Sequence, residues 1–515
     1  MRIGTNVAAI VANNALQKSQ NNLSTSIERL SSGYKINGSK DDAAGCAISE
    51  KMRAQIRGLS QAQNNTADGV SVLNTAEGAI TEIQSMLTRL KELSVQAAND
   101  VNSDDEREAI QKEIEQINNE IDRISDQTEF NTQSLINGNL SRRVYSDLQG
   151  VNQLSVSDSY TAGVYGITVT EDARQAIAVG AGSITMSSTA SITEEQAGAI
   201  NINGYKISIS EGDTLDKVMG KIIDGVNITG GSAFTVKDLN NDTAANGTDY
   251  AGYVPTADYA GSTLVIMTNQ YGSDQKMNIT CDNAELADIL GIPQAATQDG
   301  IYVEGSDVKA EIATGDDGKR IGFADSAILS TKGTVITVTD VNNKEFSMDV
   351  PGNAAGTVFD DSNNDGQSAA GAGTARTISQ EVTDVGTMSI HVGANQDQVI
   401  VIDIPAITTY SLGTEHMNVM TQYTASRAIS TVDEAINKTN KIRSRIGAYE
   451  NRFDHTTNNL EVSSENLTKS LSTMIDTDMS EEMTTYTSET VLTQAATSIL
   501  AQANGRPSQL LQLLQ

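Results

Sequence analysis

The chain has 515 residues and a formal net charge of −31, contains no tryptophan, and is only 4% aromatic. Its length allows roughly three or four domains of ordinary size, and the scarcity of aromatic side chains excludes one large aromatic core. The negative charge argues against a nucleic-acid-binding protein, which needs a basic face for phosphates. It suits a soluble protein that lies beside copies of itself or outside the cell.

We expect neither a disulfide framework nor a membrane segment. Cys46 and Cys281 lie in regions of different character, and we interpret them as unpaired small hydrophobic residues. No apolar run is long enough to span a bilayer. The N-terminus, MRIGTNVAAIVANNAL, has only a short apolar patch, so we interpret it as the start of a helix and not as a signal peptide.

Three amphipathic helices are predicted before residue 130. The first, from about residue 6 to residue 34, has apolar residues at heptad-like spacing. These residues are Leu16, Leu23, Ile27 and Leu30. The second, from 41 to 100, starts at an Asp41 or Asp42 cap and contains no proline. Ser103 and Glu106 have the capping-box spacing that starts a third helix, ending near residue 128 to 130.

The second helix carries a continuous apolar stripe with a residue every three or four positions. The stripe comprises Leu73, Ala76, Ile80, Ile83, Leu87, Leu90 and Ala97. A helix of about 55 residues is roughly 80 Å long, and no small core can cover a stripe of that length. The sequence therefore predicts another long helix beside it.

From about residue 151 the apolar period shortens towards two, which predicts strands. Segments 199–202 and 205–209 flank Asn203-Gly204, a strong hairpin signal. Further strands are predicted at 263–268, 276–281, 334–339 and 345–350, the last two turning at Asn342-Asn343. Short helices are predicted at 215–226 and 283–290. Residues 135–148 are interpreted as loop and hairpin, and the polar spans 240–247 and 353–373 as loops.

A second long helical pattern follows a strand near Pro405. Its register runs from Ile429 to Met474 and includes Ile442, so it is the expected partner of the long N-terminal helix. A last helix is predicted from residue 478 to residue 504, where Gly505 and Pro507 break it. Its stripe includes Val491, Leu492, Ile499 and Leu500.

These elements predict an α+β fold: a long antiparallel helical bundle or coiled coil from both chain termini, with a β-rich insertion in the middle. Residues 1–40 and 475–515 form the terminal helical assembly domain. Residues 41–150 and 388–474 form the bundle domain, with small hairpins. Residues 151–387 form the insertion, with two subdomains, one of them at about 195–295.

Several long motifs resemble bacterial flagellins. They are LSSGYKINGSKDDAAGCAISEKM, GLSQAQNNTADGVSVLNTAEGAI, LKELSVQAAND, NEIDRISDQTEFN, GAYENRFDHTTNNL and AATSILAQAN. The resemblance covers roughly residues 1–140 and 388–515. AININGYKISISEGDTLDKVMGKI is similar, more weakly, to a repeat inserted in some flagellins and hook proteins.

The resemblance implies a secreted, extracellular subunit of the bacterial flagellum that polymerises helically with itself for motility. Its terminal helices would line the filament's inner wall, and its β domains would face the medium. Flagellins are exported unfolded by the flagellar secretion system and polymerise under a cap. The implied partners are therefore the filament cap, the hook-junction proteins and an export chaperone that binds the C-terminal region, with no nucleic acid or membrane.

The terminal stripes support polymerisation independently. Residues 5–34 and 480–504 have little else in the chain to bury them, and a short isolated helix is marginal in water. We expect these segments to be mobile in the monomer and to become ordered when neighbouring subunits cover them. The alternative is that they pack against each other as a two-helix coiled coil. We favour assembly because the stripes run to both chain ends.

We expect no enzyme and no catalytic, cofactor-binding or metal-binding residues. His391, His416 and His455 are scattered, and none lies in an HExxH motif. A half calcium-loop pattern lacks the twelfth-position glutamate, so we favour a polar turn there. Its residues are Asp361, Asn363, Asp365 and Gly366, with Ala372 at the twelfth position. The rival functions are a secreted adhesin or binding protein on a helical stalk, and an enzyme within the insertion.

The motif LTRLKELSVQAAN implies recognition by the vertebrate innate flagellin receptor, Toll-like receptor 5. Arg89, Leu93 and Glu113 stand at the family's contact positions. Arg89 and Leu93 are one helical turn apart, so we expect an arginine beside an exposed leucine. The alternative is that Arg89 solvates the bundle and pairs with Glu92. Where many members of the family end in a basic residue, this chain ends in Gln515.

Overall fold

The computed structural model describes residues 6–157, 160–180, 182–237, 261–292, 300–315, 318–340, 344–352, 359–360, 369–370, 375–383 and 385–513. The chain divides into two compact units. The first comprises Met1–Val70, Ile390–Ile400 and Asn451–Gln515, and the second comprises Ser71–Ser389 and Val401–Glu450. No described helix is both long enough and apolar enough to cross a bilayer.

The helices, in chain order, are α1 (Val7–Ser32), α2 (Ala43–Ala97), α3 (Asp104–Gln127), α4 (Leu215–Ile228), α5 (Ala284–Ile289), α6 (Thr409–Leu412), α7 (Gln422–Ile475) and α8 (Met479–Leu513). The strands are β1 (Glu129–Phe130), β2 (Gln133–Ser134), β3 (Val144–Ser146), β4 (Asn152–Val156), β5 (Gly163–Glu171), β6 (Ile177–Val179), β7 (Gly198–Ile202), β8 (Tyr205–Ile209), β9 (Gly231–Lys237), β10 (Ser262–Thr268), β11 (Lys276–Cys281), β12 (Ile301–Glu304), β13 (Lys309–Ile312), β14 (Ile328–Lys332), β15 (Val335–Thr339), β16 (Glu345–Asp349), β17 (Phe359–Asp360), β18 (Ala369–Ala370), β19 (Arg376–Val382), β20 (Met388–His391) and β21 (Val399–Ile402). These elements confirm the predicted class, with helices at both ends and sheets in the middle.

The predicted helix boundaries follow from their caps. α1 ends where Gly33 adopts a left-handed conformation with φ of 77°, which a residue without Cβ adopts without strain. The carboxylate of Asp42 accepts hydrogen bonds from the first turn of α2, which confirms it as the cap. Ser103 and Glu106 form the predicted capping box of α3.

The stripe of α2 is buried as predicted, because every residue of it from Leu73 to Ala97 has no solvent exposure. Within the second unit, Glu77 of α2 forms a 3.0 Å ion pair with Arg443 of α7, and Lys91 forms a 2.6 Å ion pair with Asp433. Later residues of α2 therefore meet earlier residues of α7. The two long helices pair antiparallel, as the sequence predicts.

Two details of the C-terminal helices differ from the prediction. Ile442 lies on the predicted register of α7 but is only half-buried, whereas Val432 and Ile446 are buried. α8 continues through Gly505 and Pro507 to Leu513. A proline removes one backbone hydrogen bond, but its φ is compatible with a helix, so a helix can continue past it.

The insertion is built from antiparallel sheets. One four-stranded sheet has the order β12-β11-β7-β8, and a three-stranded sheet has the order β6-β10-β9. With α4 and α5 they enclose one hydrophobic core. Two other four-stranded sheets, β13-β5-β19-β3 and β14-β15-β16-β4, enclose a second core. The predicted hairpin is confirmed, with Asn203 and Gly204 at φ of 50° and 90°.

Some predicted loops contain strands. β3 lies within residues 135–148 but pairs with β19, more than 200 residues later, and not within a local hairpin. A local hairpin does form, between β1 and β2, but it lies just before residue 135. β17 and β18 pair within 353–373. The Asn342-Asn343 turn, the span 240–247 and the five residues of the calcium-like pattern lie outside the described residues.

Polar side chains of α3 bind the backbone of the segment that precedes α7. The amide of Asn118 donates to the carbonyl of Thr414 at 2.8 Å, and Asp122 accepts from the backbone and hydroxyl of Thr409 at 2.8 and 2.6 Å. Gln111 binds the same segment further along. These side chains share one face of α3, so they fix α6 and the irregular residues that follow it.

Asp213 is a buried carboxylate that we expect to make the insertion sensitive to acid. Its buried carboxylate accepts from Lys217 at 2.8 Å, from Lys221 at 2.6 Å and from the Ser210 amide, and these bonds hold its pKa well below the usual range. A carboxylate whose pKa is lower in the folded state than in the unfolded state stabilises the fold at pH values above its unfolded pKa of about 3.9. This stabilisation is lost as the pH falls below that value towards the folded-state pKa.

We expect Asp213→Asn to destabilise the insertion at pH 7 by about 1–2 kcal/mol, since both lysines are partly exposed. The difference from wild type should shrink as the pH falls from about 4 towards 2. Thermal unfolding followed by circular dichroism at several pH values measures this. If the difference in melting temperature between Asp213→Asn and the wild type stays constant with pH, the stabilising role of the Asp213 carboxylate is contradicted.

Candidate assembly surface on the terminal helices

α1 and α8 form an antiparallel pair within the first unit. Near one end, the side-chain amide of Asn6 donates to the carbonyl of Ala503 at 2.9 Å. At the other end, Tyr34 and Asp476 form an antiparallel backbone bridge. The start of α1 therefore lies beside the C-terminal part of α8, and the end of α1 lies beside the start of α8. The two-helix packing that the sequence analysis held as the alternative is present.

The residues that α1 buries completely in the seam between the two helices are small. The buried residues of α1 are Ala12, Ser19 and Ser26, each seven residues after the one before. The partners of the two serines on α8, Glu489 and Glu482, are also seven residues apart. Heptad spacing keeps one face of each helix against the other, and small side chains let the helices approach closely.

Hydrogen bonds cross this seam at both glutamates. The hydroxyl of Ser19 donates to the Glu489 carboxylate at 2.5 Å, and the amide of Asn22 donates to its other oxygen at 2.9 Å. These two bonds lower the pKa of Glu489. Ser26 donates to Glu482, which also lies 3.5 Å from Arg29. Because each bond needs one partner from each helix, the pairs fix the register of α1 against α8.

The exposed apolar residues of the pair lie outside the seam, whereas half-buried leucines alternate with the small residues of the seam at heptad spacing. Four of the eight predicted assembly residues are 48% to 59% exposed, namely Ile27, Val491, Leu492 and Ile499. The other four are half-buried, namely Leu16, Leu23, Leu30 and Leu500. The sequence analysis missed further exposed apolar residues near the same ends, which are Val7, Ile10, Val11, Met479 and Met483. The exposed residues of both sets form an apolar surface that the pair itself does not cover.

The predicted receptor-contact residues lie on α2 and α3 in the second unit. Arg89 donates to Glu113 at 3.1 and 2.8 Å and to Glu92 at 3.1 Å, and its side chain is half-exposed. The bond to Glu113 is the largest cause of a raised Arg89 pKa. The structure thus brings Arg89 and Glu113 together, and it also contains the pairing with Glu92 that the alternative predicted.

Leu93 is not the exposed apolar side chain that the sequence analysis expected. It is 1% exposed. It follows Leu90 by three positions and precedes Ala97 by four, so it lies within the buried stripe of α2. The surface around Arg89 therefore presents the arginine without an exposed Leu93 beside it.

Comparison with known proteins identifies the family. Residues 3–141 match the family model of the bacterial flagellin N-terminal helical region, and residues 429–514 match that of the C-terminal helical region. The chain is 31% identical to the flagellin of Salmonella typhimurium, with 100% of this chain and 99% of the relative covered. The chain belongs to the bacterial flagellins.

This flagellin is also 30% identical to polar flagellin A of Vibrio parahaemolyticus, again over 100% of this chain and 99% of the relative. A solved structure of FliC from Burkholderia pseudomallei aligns with 75% of this flagellin and 99% of that chain, at 15% identity and a TM-score of only 0.22. Flagellins are structural, non-enzymatic components of the flagellar filament. The chain is therefore a structural flagellar subunit and not an enzyme.

The described part of this flagellin contains no cluster of three or more histidine, cysteine or acidic side chains that could hold a metal ion. Both of its cysteines, Cys46 and Cys281, are free. Burial raises the pKa of the Cys281 thiol, which makes that sulfur a poor nucleophile.

We expect the seam hydrogen bonds of this flagellin to strengthen its polymer. Ser19→Ala removes a donor to Glu489 and should lower polymer stability by about 1 kcal/mol per subunit. The matched control is Ser24→Ala on the exposed side of α1, which should leave stability unchanged or slightly raised, because alanine favours helix. Scanning calorimetry of filaments compares the two, and equal melting temperatures would contradict a role for the seam.

Proposed function

We propose that this flagellin polymerises into the flagellar filament through the outer faces of α1 and α8. The observation that supports this most strongly is the apolar surface left open by the helix pair. A pair that served only to close a monomer would cover its large apolar residues, yet four of the predicted assembly residues remain 48% to 59% exposed. The open groove of Met483, Val491 and Leu492 on α8 suits apolar side chains of a neighbouring copy.

The proposed domain arrangement follows from this role. Residues 1–40 and 475–515 act as the assembly domain, and residues 41–150 and 388–474 act as the bundle domain. Residues 151–387 form the variable insertion, with a flagellin-insertion-like repeat at about 195–295. In the filament, the assembly domain occupies the inner wall and the insertion faces the medium.

We further propose export in an unfolded state by the flagellar secretion system, followed by addition at the filament tip. Because both cysteines are free, no disulfide has to be reduced before the chain is extended. The apolar ends would need protection in the cell, which is a role for an export chaperone that binds the C-terminal region. The filament cap and the hook-junction proteins are the proposed partners after export, when the protein is secreted.

Electron microscopy of purified protein tests polymerisation directly. Short filament fragments used as seeds should elongate in neutral buffer into long helical tubes that pellet on ultracentrifugation. Val491→Asp would place a charge in the open groove of α8 and should prevent elongation, while the monomer keeps its helical circular dichroism spectrum. Elongation of the Val491→Asp chain at the wild-type rate would contradict the proposed surface.

We also propose that the patch around Arg89 and Glu113 binds the vertebrate innate flagellin receptor, Toll-like receptor 5. The family motif supports this, together with the half-exposed guanidinium that two carboxylates hold in place. Arginines of this kind are frequent interface hot spots, because the planar group offers several donors. Leu93 would contribute indirectly, because its packing on the buried face of α2 holds the helix that carries Arg89.

Arg89→Ala should weaken binding of the receptor ectodomain by about 1 kcal/mol or more, without loss of helicity. Arg123→Ala is the matched control, since Arg123 is equally exposed on α3 and also pairs with a carboxylate. Surface plasmon resonance of monomers measures both. Leu93→Ala is a poorer test, because truncation of a buried leucine costs about 2–5 kcal/mol of stability by itself. If Arg89→Ala and Arg123→Ala bind alike, the patch does not contact the receptor.

A further inference from the structure

A cleft in the second unit is not explained by assembly or by receptor binding. It has a volume of about 360 Å³ and lies among the turn between α2 and α3, the β7–β8 hairpin, strands β11 and β12, and the start of α7. That volume is in the range of small-molecule sites. Three tyrosines line it, namely Tyr205, Tyr302 and Tyr423.

Tyr205 packs partly against the first insertion core, whereas Tyr302 and Tyr423 belong to neither of the two described cores. The chain has only 14 tyrosines, and the aromatic side chains that pack the second insertion core form a separate cluster. In that cluster, Tyr165 and Phe323 lie 5.1 Å apart, centre to centre. By contrast, Tyr302 in the cleft is 54% exposed. Such exposure of a large ring in a concave surface is typical of a binding site, since a ring has an apolar face and a polar edge.

The cleft also offers unused hydrogen-bonding groups. Within the described residues, the hydroxyls of Tyr205 and Tyr423 have no protein hydrogen-bond partner, and neither has the side-chain amide of Asn278. Groups of this kind stay solvated when the cleft is empty. A ligand that covers them must supply partners of its own, because an unpaired polar group costs free energy when it is buried.

The charges that line the cleft cancel. Asp100 and Asp104 lie 3.9 and 3.7 Å from Arg107, whose guanidinium donates to two backbone carbonyls and is only 11% exposed. Lys276 lies 2.8 Å from Glu304 and 5.7 Å from the centre of the Tyr302 ring. The lining therefore has two acidic and two basic side chains, in a chain whose net charge is −31. An ionic ligand would find no surplus charge of opposite sign.

We propose that this cleft binds a neutral sugar residue of a glycan. A pyranose ring has an apolar C–H face that packs on a tyrosine ring, and hydroxyls that both donate and accept. The carboxylates of Asp100 and Asp104 accept from those hydroxyls, and the hydroxyls of Tyr205 and Tyr423 complete the contacts. An apolar ligand would leave these groups unpaired, and a charged sugar would have no counter-charge.

The proposal is tested on the full chain with methyl glycosides of glucose, galactose, mannose and N-acetylglucosamine as probes, and with methyl glucuronide as the charged counterpart. Saturation-transfer NMR detects binding. Tyrosine fluorescence gives the affinity, because the chain has no tryptophan. At least one neutral glycoside should bind with millimolar affinity, and more tightly than the glucuronide.

Tyr302→Ala and Tyr423→Ala should each weaken that binding about tenfold. Tyr145→Ala is the control, because Tyr145 on β3 is 56% exposed but lies outside the cleft. Circular dichroism checks that all three variants fold. The proposal is overturned if no neutral glycoside binds, if the glucuronide binds as tightly, or if Tyr145→Ala weakens binding as much as the cleft variants do.

Discussion

Chains that lack residues 1–34 or residues 480–515 will remain monomeric at neutral pH and will form no filaments. Each deletion removes one helix of the α1–α8 pair, so it removes half of the open apolar surface and the partner that holds the other helix. A single short helix without that partner is marginal in water. Ultracentrifugation and electron microscopy of each truncated chain measure the loss, which should be complete.

The matched control deletes a larger part of the chain away from the terminal helices. Asp147 and Ser379 are joined by a 3.2 Å backbone hydrogen bond, so the two ends of the insertion lie side by side. A short glycine–serine linker can therefore replace residues 148–378. This chain should still polymerise, because α1, α2, α3, α7 and α8 lie outside the deletion. The assignment of assembly to α1 and α8 would be refuted if either truncated chain formed filaments, or if the chain with the internal deletion formed none.

Ile446→Asp will unfold the second unit or lower its melting temperature by many degrees. Ile446 is 1% exposed on α7, and an unpaired carboxylate there costs several kcal/mol or forces the helices apart. Ile442, which the sequence analysis placed in the same seam, is half-buried, so Ile442→Asp should cost less. Thermal unfolding monitored by circular dichroism ranks the two.

An exposed isoleucine provides the control for this substitution. Ile328 on the edge strand β14 is 71% exposed, so Ile328→Asp adds a solvated charge and should change stability by about 1 kcal/mol or less. The expected order of destabilisation is Ile446, then Ile442, then Ile328. Equal melting temperatures for the Ile446 and Ile328 variants would show that the buried face of α7 is misassigned.

Local signals predicted all of the described helices except α6, but only a minority of the described strands. The 3.6-residue period of α2 and the caps at Asp42 and Ser103 act within one or two turns, so they can be recognised without knowledge of the partner. The Asn203-Gly204 hairpin was predictable for the same reason, since the two residues favour the turn that joins adjacent strands. The resemblance to flagellins rests on the same terminal helices.

The sequence by itself determined the positions of the long helices and of the Asn203-Gly204 hairpin, and that the terminal helices carry apolar side chains. Only the tertiary structure decided which side of each helix is covered. The sequence analysis expected an exposed Leu93, whereas the structure buries it within the stripe of α2. The pairing of β3 with β19, and of Ser19 with Glu489, joins positions hundreds of residues apart, for which no local pattern exists. Small seam residues also give no hydrophobic signal, so the stripes of α1 and α8 could not show which of their apolar residues the pair covers and which it leaves exposed.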